Sequence, residues 1–296
     1  MTIKQNNWHQ PVVLVIVGLT GSGKSELAYK IALKLDGEII NADSVNMRKY
    51  LNIGADKPPY KYLRNVKHYL IDFLDLEENF SVYEYKIMAQ KIIKDIQKRN
   101  KLPILVGGSN LYINSVVYNY SFQTINQSVG FDLNKLSLNS LIEIANRLKL
   151  SLDKVDLNNK VRLISFIKRN GKEGSKLALL PNNILIIGIN FDYQLLKEKI
   201  ISRIDLMFEN GLEKEVKKIK SLTNDRTLNI IGYKEWDNYL LGLEDLDCVK
   251  KKIIQNTFRL MKKQQTWLKK NKDIKWINLS SNMDEVIELI TTKLNK

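Results

Sequence analysis

An α/β protein with a largely parallel sheet flanked by helices is the fold class that the sequence predicts, and three observations lead to it. Apolar runs alternate with helix-like stretches along the chain, which is typical of strand–helix–strand units. A glycine-rich segment separates the first apolar run from the first helical pattern. The 296 residues are 44% apolar and 27% charged, so the chain can bury a sizeable core and intrinsic disorder is excluded as its main state.

The apolar runs are the predicted strands, and the stretches with helical periodicity are the predicted helices. In chain order, the strands are Val12–Val17, Glu38–Asn41, His68–Phe73, Leu102–Val106, Ile184–Ile189 and Ile274–Leu279. The helices are Ser25–Leu35, Ser81–Arg99, a pattern from Tyr193 to Ile219 that Gly211 interrupts, and a long basic pattern from Val249 to Trp267. The basic pattern fits either a solvated helix face or a helix that lies along a phosphate backbone.

The segment 116–175 differs in composition from the rest of the chain. Polar residues around Tyr118–Gly130 give way to two short helical patterns, Leu138–Leu148 and Asn158–Arg169. A small helical insertion and an ordinary long loop region both account for this. We predict the insertion, which leaves 1–115 and 176–296 as one α/β core.

Charge and cysteine content restrict the class of protein further. The chain carries 47 Lys and Arg against 32 Asp and Glu, a formal charge of +15. Composition leaves two explanations open: general lysine-rich usage, or a cationic surface that attracts a polyanion such as nucleic acid. No apolar run approaches the roughly 20 residues that span a bilayer, and the N-terminus lacks a signal-peptide pattern. The single cysteine, Cys248, excludes an internal disulfide and a four-cysteine zinc site, so we expect a cytoplasmic protein with no membrane association.

The strongest motif is a complete G-x-x-x-x-G-K-S, with Gly18, Gly21, Ser22, Gly23, Lys24 and Ser25 at its defining and adjoining positions. It lies between a buried-strand pattern and a helix pattern, which is the context that makes such a loop bind phosphate. The glycines allow a tight turn that points backbone N–H groups at phosphate oxygens. Lys24 can reach the outer phosphate and the Ser25 hydroxyl can ligate Mg²⁺. The motif predicts a P-loop NTPase-like fold that binds a di- or triphosphate.

This loop occurs in kinases, ATPases, GTPases and a few transferases that use only its pyrophosphate-binding part. An ATPase motor should carry a second apolar strand that ends in Asp or Asp-Glu. The obvious strand, Leu102–Val106, ends instead in Gly107-Gly108-Ser109, which disfavours motor and helicase functions.

Two further polar groups are expected in the same crevice, because ligands of open α/β sheets bind outside the carboxyl ends of the strands. Asp43 follows the second predicted strand and could ligate Mg²⁺ or accept a proton from a substrate; a solvated loop carboxylate is the alternative. Ser109 follows the fourth strand and could place its hydroxyl there, unless Gly107-Gly108-Ser109 is a simple turn.

Taken together, these segments resemble the bacterial tRNA dimethylallyltransferase family, also called tRNA isopentenyltransferase. The resemblance covers most of the chain and rests on the ordered combination of its segments. They are Gly18–Ser25, Asn41–Ser44 with Tyr50 following, Ile53–Pro58, His68–Asp72, Pro103–Tyr112, Arg203–Met207 with Gly211-Leu212 and Glu215-Val216, Ile231–Glu235 and Lys262–Trp267.

The resemblance implies transfer of a dimethylallyl group from dimethylallyl diphosphate to N6 of the adenosine beside the tRNA anticodon, with release of diphosphate. It implies that Lys24, Thr20 and an Mg²⁺ ion near Ser25 stabilise the leaving group, that Asp43 is the general base, and that Ser109 hydrogen-bonds the target base. Contacts with the anticodon stem-loop of tRNA are implied for Asp43, Ser44, Val45, Asn46, Ser109, Arg162, Lys262, Lys263 and Gln264. We expect the enzyme to act as a monomer.

The chain departs from the family pattern at several positions. The insertion is shorter than usual, and within it Ser165 and Lys168 replace a usual Arg and a usual Glu. Asn229 stands at a position that is commonly Arg or Gln, and Phe258 stands at a position that is usually Arg. These changes concern the grip on tRNA and pyrophosphate rather than the reaction class. The alternatives are an adenylate isopentenyltransferase acting on free nucleotide, a P-loop small-molecule kinase, and an NTP-switched RNA-binding protein without enzyme activity.

Overall fold

The computed structural model of the chain describes residues 12–120, 133, 136–153, 155–168, 179–223, 229–278 and 282–294. These residues form two compact units. The larger unit lies within 1–118 and 180–296, and the smaller unit lies within 119–179.

The larger unit is built on a six-stranded sheet in which every pairing is parallel. Its strands are β1 Val13–Val17, β2 Gly37–Asn41, β3 His68–Tyr69, β4 Leu102–Gly107, β5 Ile184–Ile189 and β6 Ile274–Ile277. Their order across the sheet is β3-β2-β4-β1-β5-β6. The arrangement confirms the predicted α/β class and places β1, which leads into the glycine-rich loop, between β4 and β5.

Helices connect the strands of the larger unit. They are α1 Lys24–Lys34, α2 Tyr60–Asn65, α3 Val82–Lys98, α4 Asn110–Val117, α7 Tyr193–Glu209, α8 Leu212–Leu222, α9 Asp237–Leu240, α10 Leu246–Lys270 and α11 Met283–Leu294, with a 3₁₀ turn at Lys234–Trp236. The two remaining helices, α5 Leu138–Arg147 and α6 Lys160–Lys168, belong to the smaller unit. No helix of the described residues is long and apolar enough to cross a membrane.

The central strand is apolar throughout because both of its faces are covered. All five residues of β1 are buried, and Val15 lies opposite Leu105 on one side and Ile186 on the other. Strands buried on both faces read as continuous apolar runs, so sequence alone locates them well. Helix starts also have local causes: Ser81 and Glu84 form a reciprocal capping box at the start of α3.

The third strand is shorter than the sequence predicts. The apolar run His68–Phe73 suggests a full strand, but only His68 and Tyr69 pair with β2. Leu70 and Asp72 have φ angles of 59° and 53°, which turn the backbone away from the sheet. The Asn41 amide donates to the Leu70 carbonyl at 2.8 Å and so helps to hold this bend beside the end of β2.

The smaller unit has a core of its own. Leu141 and Ala145 of α5 pack with Leu163 and Ile167 of α6, and all four side chains are buried. Ser137 begins α5 by accepting a hydrogen bond from the Ser140 backbone N–H at 3.1 Å. Both helices therefore occur where the 3.6-residue periodicity predicts them; Arg169, the last residue of the second predicted helix, lies outside the described residues.

Candidate active site

The glycine-rich loop after β1 folds into a tight turn. Gly21 and Gly23 have φ angles of 77° and 80°, a left-handed conformation that side chains disfavour. Ser22 donates its backbone N–H to the Leu19 carbonyl at 3.1 Å, and its hydroxyl is buried against Gly18. Lys24 is the first residue of α1 and contacts the Leu19 carbonyl through Nζ at 3.3 Å. The loop therefore has the geometry that the motif predicts.

A cavity of about 370 Å³ opens beside this loop. Seven of the residues that the sequence singles out line it, namely Thr20, Gly21, Gly23, Lys24, Ser25, Asp43 and Asn46. Gly18, Ser22, Ser44, Val45, Ser109, Lys262, Lys263 and Gln264 do not line it. The phosphate loop and the carboxylate after β2 thus border one space, as the rule for open α/β sheets leads us to expect.

Burial and neighbouring charges of both signs act on Lys24. Desolvation is the largest influence and lowers the pKa of Lys24, because burial disfavours the charged ammonium. The negative charge of Asp43 acts in the opposite direction, and the positive charge of Arg203 again lowers the pKa. The negative charge of Asp56 also raises it, so Lys24 and Arg203 share this site with two carboxylates, Asp43 and Asp56.

Asp43 is held by a network at the end of β2. Its backbone N–H donates to the Asn41 side-chain oxygen at 3.1 Å, and the Asn41 amide donates back to the Asp43 carbonyl at 2.9 Å. The carboxylate atom Oδ1 accepts the Val45 backbone N–H at 3.0 Å. No hydrogen bond from a described residue reaches Oδ2, so this oxygen can accept a proton from a ligand.

The end of β4 lies directly against the end of β2. A Cβ on Gly107 would be only 2.1 Å from the Ala42 carbonyl oxygen, so only glycine fits there. Ser109 donates its backbone N–H to the same carbonyl at 3.1 Å, and its hydroxyl oxygen accepts the Ser44 N–H at 3.1 Å. With its oxygen so engaged, the Ser109 hydroxyl keeps its proton for donation to another group.

Gln264 of α10 joins the phosphate loop to the end of β4. Its Oε1 accepts the Thr20 backbone N–H at 3.0 Å, and its Nε2 donates to the Gly108 carbonyl at 3.3 Å. The side chain is only 6% exposed. The sequence predicts a contact with tRNA here, whereas in the structure both polar atoms of the amide are engaged with backbone groups of the chain.

Sequence reasoning missed an ion pair that lines the cavity. Arg203 of α7 donates through Nη1 to Asp56 Oδ2 at 2.5 Å, and both residues border the cavity. The Nε atom of Arg203 is buried without a hydrogen-bond partner among the described residues. Both residues lie in segments that carry the family resemblance, which was the available signal, but nothing in their local pattern indicated a role.

The loop that presents Asp56 depends on a carboxylate of α8. Glu215 accepts the backbone N–H groups of Ile53 and Gly54 at 2.9–3.0 Å, and it also accepts the Tyr233 hydroxyl at 2.7 Å. Burial and the neighbouring charge of Glu215 raise the pKa of Tyr233, so the hydroxyl stays protonated and keeps donating. The Ile231–Glu235 segment therefore supports the loop rather than lining the cavity.

The exposed face of α10 is basic. Lys262 and Lys263 are exposed, as are Arg259, Lys269 and Lys270, whereas Lys250 and Lys252 pair with Asp205 and Glu244. Phe258, at a usual arginine position, lies 5.7 Å from the ammonium of Lys197 measured to the ring centroid. Arg162 lies in α6 of the smaller unit, and its side chain is outside what the structure describes, so its predicted contact with tRNA stays a prediction.

Fold and site together define a class of protein. It is an α/β protein with a phosphate-binding type of loop after β1 and a carboxylate after β2 that border one cavity, and its neighbouring strand β4 ends in glycine rather than in the acidic residue of an ATPase. The model of the IPP transferase family matches residues 47–271, and this chain belongs to that family.

Individual relatives agree with this assignment and confirm the resemblance. The chain is 37% identical to a tRNA dimethylallyltransferase of Acetivibrio thermocellus over 90% of this chain and 91% of the relative. It is 39% identical to the tRNA dimethylallyltransferase of Acholeplasma laidlawii, over 86% of this chain and 88% of the relative. The crystal structure of the full-length tRNA isopentenylpyrophosphate transferase from Bacillus halodurans is similar with a TM-score of 0.75, 29% identity, and coverage of 96% and 97%.

Proposed function

We propose that this protein transfers a dimethylallyl group from dimethylallyl diphosphate to N6 of the adenosine beside the tRNA anticodon and releases diphosphate. Membership of the family and its tRNA-modifying relatives support a tRNA prenyltransferase. The observation that carries the proposal is the shared cavity: the phosphate loop and Asp43 border the same space, so a diphosphate and a base-activated acceptor can meet there.

On the side of the prenyl donor, the chain offers groups that stabilise a leaving diphosphate. Backbone N–H groups of the loop, the start of α1 and the Lys24 ammonium all favour negative charge. Arg203 lines the cavity and its Nε has no hydrogen-bond partner in the part of the chain that the structure describes, which supports a further cationic contact to the diphosphate. Groups that bind more tightly as charge develops on the departing diphosphate lower the barrier to transfer.

The residues present suit Mg²⁺ only when it also binds the substrate. Among the described side chains, no group of three or more His, Cys, Asp or Glu residues could hold a metal. Ser25 and Asp43 line the cavity and offer hard oxygen atoms, and Mg²⁺ commonly combines one or two such ligands with substrate phosphates and water. Ser25 would therefore hold the ion; when bound, the ion supplies charge neutralisation at the diphosphate.

On the acceptor side, Asp43 and Ser109 have distinct roles. The N6 nitrogen attacks C1 of the allyl group, the C1–O bond breaks with its electrons going to diphosphate, and Asp43 Oδ2 accepts the N6 proton. An oriented general base of this kind raises the rate of the chemical step roughly 10²–10⁴-fold. The Ser109 hydroxyl, with its oxygen already accepting the Ser44 N–H, donates to a ring nitrogen of the base.

Transfer at this cavity requires the adenosine to leave the stacked anticodon loop, because a stacked base cannot enter it. The backbone of the RNA would then lie outside, where the exposed lysines and arginine of α10 give a basic surface. Such contacts with phosphates make affinity depend strongly on salt. The free-nucleotide alternative is not favoured, since the relatives are named for tRNA.

The test is an incubation of the purified protein with labelled dimethylallyl diphosphate, Mg²⁺ and an unmodified tRNA transcript. We expect label on the adenosine beside the anticodon, and none on a matched transcript with guanosine at that position. Parallel reactions offer AMP as acceptor and ATP as donor. Label in AMP but not in tRNA would favour the adenylate enzyme, and phosphoryl transfer without prenyl transfer would refute the proposal. Size measurement in solution tests the predicted monomer.

A further inference from the structure

Asp56 is the carboxylate that holds the Arg203 side chain. The Nη1 atom of Arg203 donates to Asp56 Oδ2 at 2.5 Å, and its Nε atom is buried with no hydrogen-bond partner in the described part of the chain. Both residues line the cavity, and the Arg203 side chain is 22% exposed against 53% for that of Asp56. A long arginine side chain has many rotamers, so a fixed partner decides where its charge lies.

Asp56 itself lies in a tight turn that its neighbours keep in place. Its backbone N–H donates to the Ile53 carbonyl at 3.0 Å, and its φ angle of 51° lies in the left-handed region, which is uncommon for a residue with a side chain. Gly54 lies so close to Tyr233 that a Cβ on it would be 2.7 Å from the ring. Together with the hydrogen bonds from Ile53 and Gly54 to Glu215, these contacts fix the backbone from which Asp56 extends.

Lys57 holds the other end of the same turn. Its side chain is 7% exposed, and its Nζ donates to the Arg48 carbonyl at 2.8 Å and to Asn52 Oδ1 at 3.2 Å. It also forms an ion pair with Asp72. The ammonium of Lys57 is thus engaged within the protein and anchors the turn, although the residue lines the cavity.

A carboxylate at this place has two opposite effects on an anionic ligand. Its negative charge repels the ligand, and this charge reaches far enough to raise the pKa of Lys24. Its bond to Arg203, in contrast, aligns a cation that attracts the same ligand. Because the Asp56 side chain is 53% exposed, water screens the repulsion, whereas the alignment of Arg203 depends on a direct contact. We therefore expect the alignment to be the larger effect.

We propose that Asp56 is a positioning residue for the prenyl donor: its carboxylate holds the guanidinium of Arg203 at the cavity wall in the orientation that binds the diphosphate. This inference rests on the proposed function, because it takes the diphosphate of the donor to be the ligand of Arg203. Asp56 acts through Arg203 in this role and need not touch the donor. Such preorganisation increases affinity, because the arginine is already ordered before the ligand arrives.

A double-mutant cycle tests this role, because a residue that acts through Arg203 loses its effect when Arg203 is absent. Calorimetry gives the Kd for dimethylallyl diphosphate and for inorganic diphosphate, with Mg²⁺ and without tRNA, in four proteins: the wild type, Asp56→Asn, Arg203→Met and the double variant. Asparagine has nearly the size of aspartate and also tolerates the left-handed conformation. In the wild-type background Asp56→Asn should raise both Kd values about tenfold, which equals about 1.4 kcal/mol. In the Arg203→Met background it should leave them unchanged or lower them, since only repulsion is then removed.

Asp75→Asn is the matched control. Asp75 also forms an ion pair, with Lys49 at 2.9 Å, but its side chain is 69% exposed and it does not line the cavity. The change removes the same charge outside the site, so both Kd values should stay as in the wild type.

An equal effect of Asp56→Asn in the two backgrounds would overturn the proposal. An equal rise of Kd would mean that Asp56 only supports the fold of its loop, and an equal fall would mean that it acts only as a repelling charge. A wild type that binds neither ligand also overturns it. If Arg203→Met does not fold, as judged by circular dichroism, Arg203→Gln completes the cycle under the same criterion.

Failure of the proposed function would look different. The protein would then bind inorganic diphosphate with the expected dependence of Asp56 on Arg203, yet transfer no prenyl group to tRNA. Equal effects in both backgrounds, together with prenyl transfer to tRNA, would remove the role of Asp56 alone.

Discussion

Gln264 offers the sharpest test of how the site is assembled. Its amide connects the Thr20 N–H in the phosphate loop with the Gly108 carbonyl beside Ser109, although Thr20 and Gln264 are 244 residues apart in sequence. Replacement by methionine keeps a side chain of similar length and removes both hydrogen bonds. The change therefore isolates the polar bridge from the packing of α10.

The size of the effect follows from the two contacts. Each buried backbone group left unsatisfied costs about 1–3 kcal/mol, and the 3.3 Å contact to Gly108 belongs at the lower end, so we expect Gln264→Met to lower the free energy of unfolding by roughly 2–4 kcal/mol. Without this hydrogen bond Thr20 is less ordered in the free protein, so binding of the ligand must order one more residue, which costs about 1–2 kcal/mol of binding free energy. Because 1.4 kcal/mol is tenfold in affinity, the Kd for dimethylallyl diphosphate should rise roughly 5–30-fold.

The assay is calorimetric binding of the diphosphate, together with filter binding of tRNA at several salt concentrations. Lys263→Met is the matched control, because it makes the same substitution at the exposed neighbouring residue. It should leave the affinity for the diphosphate unchanged and weaken tRNA binding. It should also reduce the slope of the logarithm of tRNA affinity against the logarithm of salt concentration by about one. The reasoning is refuted if Gln264→Met instead weakens tRNA binding and leaves the Kd of the diphosphate unaltered, which is what a direct contact with tRNA predicts.

Three further predictions concern the same site. Asp43→Asn keeps an acceptor for the Val45 N–H but not the base, so single-turnover rates should fall roughly 10²–10⁴-fold while the Kd for tRNA is unchanged; lost binding would make Asp43 structural. Since desolvation lowers the pKa of Lys24 and only the ammonium attracts diphosphate, affinity should fall as pH rises through that lowered pKa. Lys24→Arg should move this loss to higher pH, and a wild-type profile that is flat to about pH 10 contradicts the idea. Glu215→Ala removes the acceptor of the Ile53 and Gly54 N–H groups and should cost roughly 2–4 kcal/mol of stability in a denaturation curve, against less than about 1 kcal/mol for Glu213→Ala on the same helix.

Local patterns in the sequence were sufficient for the inner strands of the sheet and for the glycine-rich loop. The strands β1, β4 and β5 are buried on both faces, so their apolar runs are visible without any knowledge of neighbours. The phosphate loop is equally local, because its conformation depends on Gly21 and Gly23 and its function on the adjacent Lys24 and Ser25. Asp43 could be predicted to face the crevice because it follows a predicted strand, and ligands of open α/β sheets bind outside the carboxyl ends of the strands.

Tertiary structure decided the rest. The end of β3 depends on a side chain of β2, because Asn41 holds the bend at Leu70 that no apolar run reveals. The roles of Arg203 and Gln264 depend on which helices the sheet order brings beside the phosphate loop, and helical periodicity shows only which face of each helix is buried, not what covers it. Sequence by itself therefore determined the fold class, the phosphate loop and the family. Only the folded chain decided which distant polar groups complete the cavity, because those contacts form between segments that share no local signal.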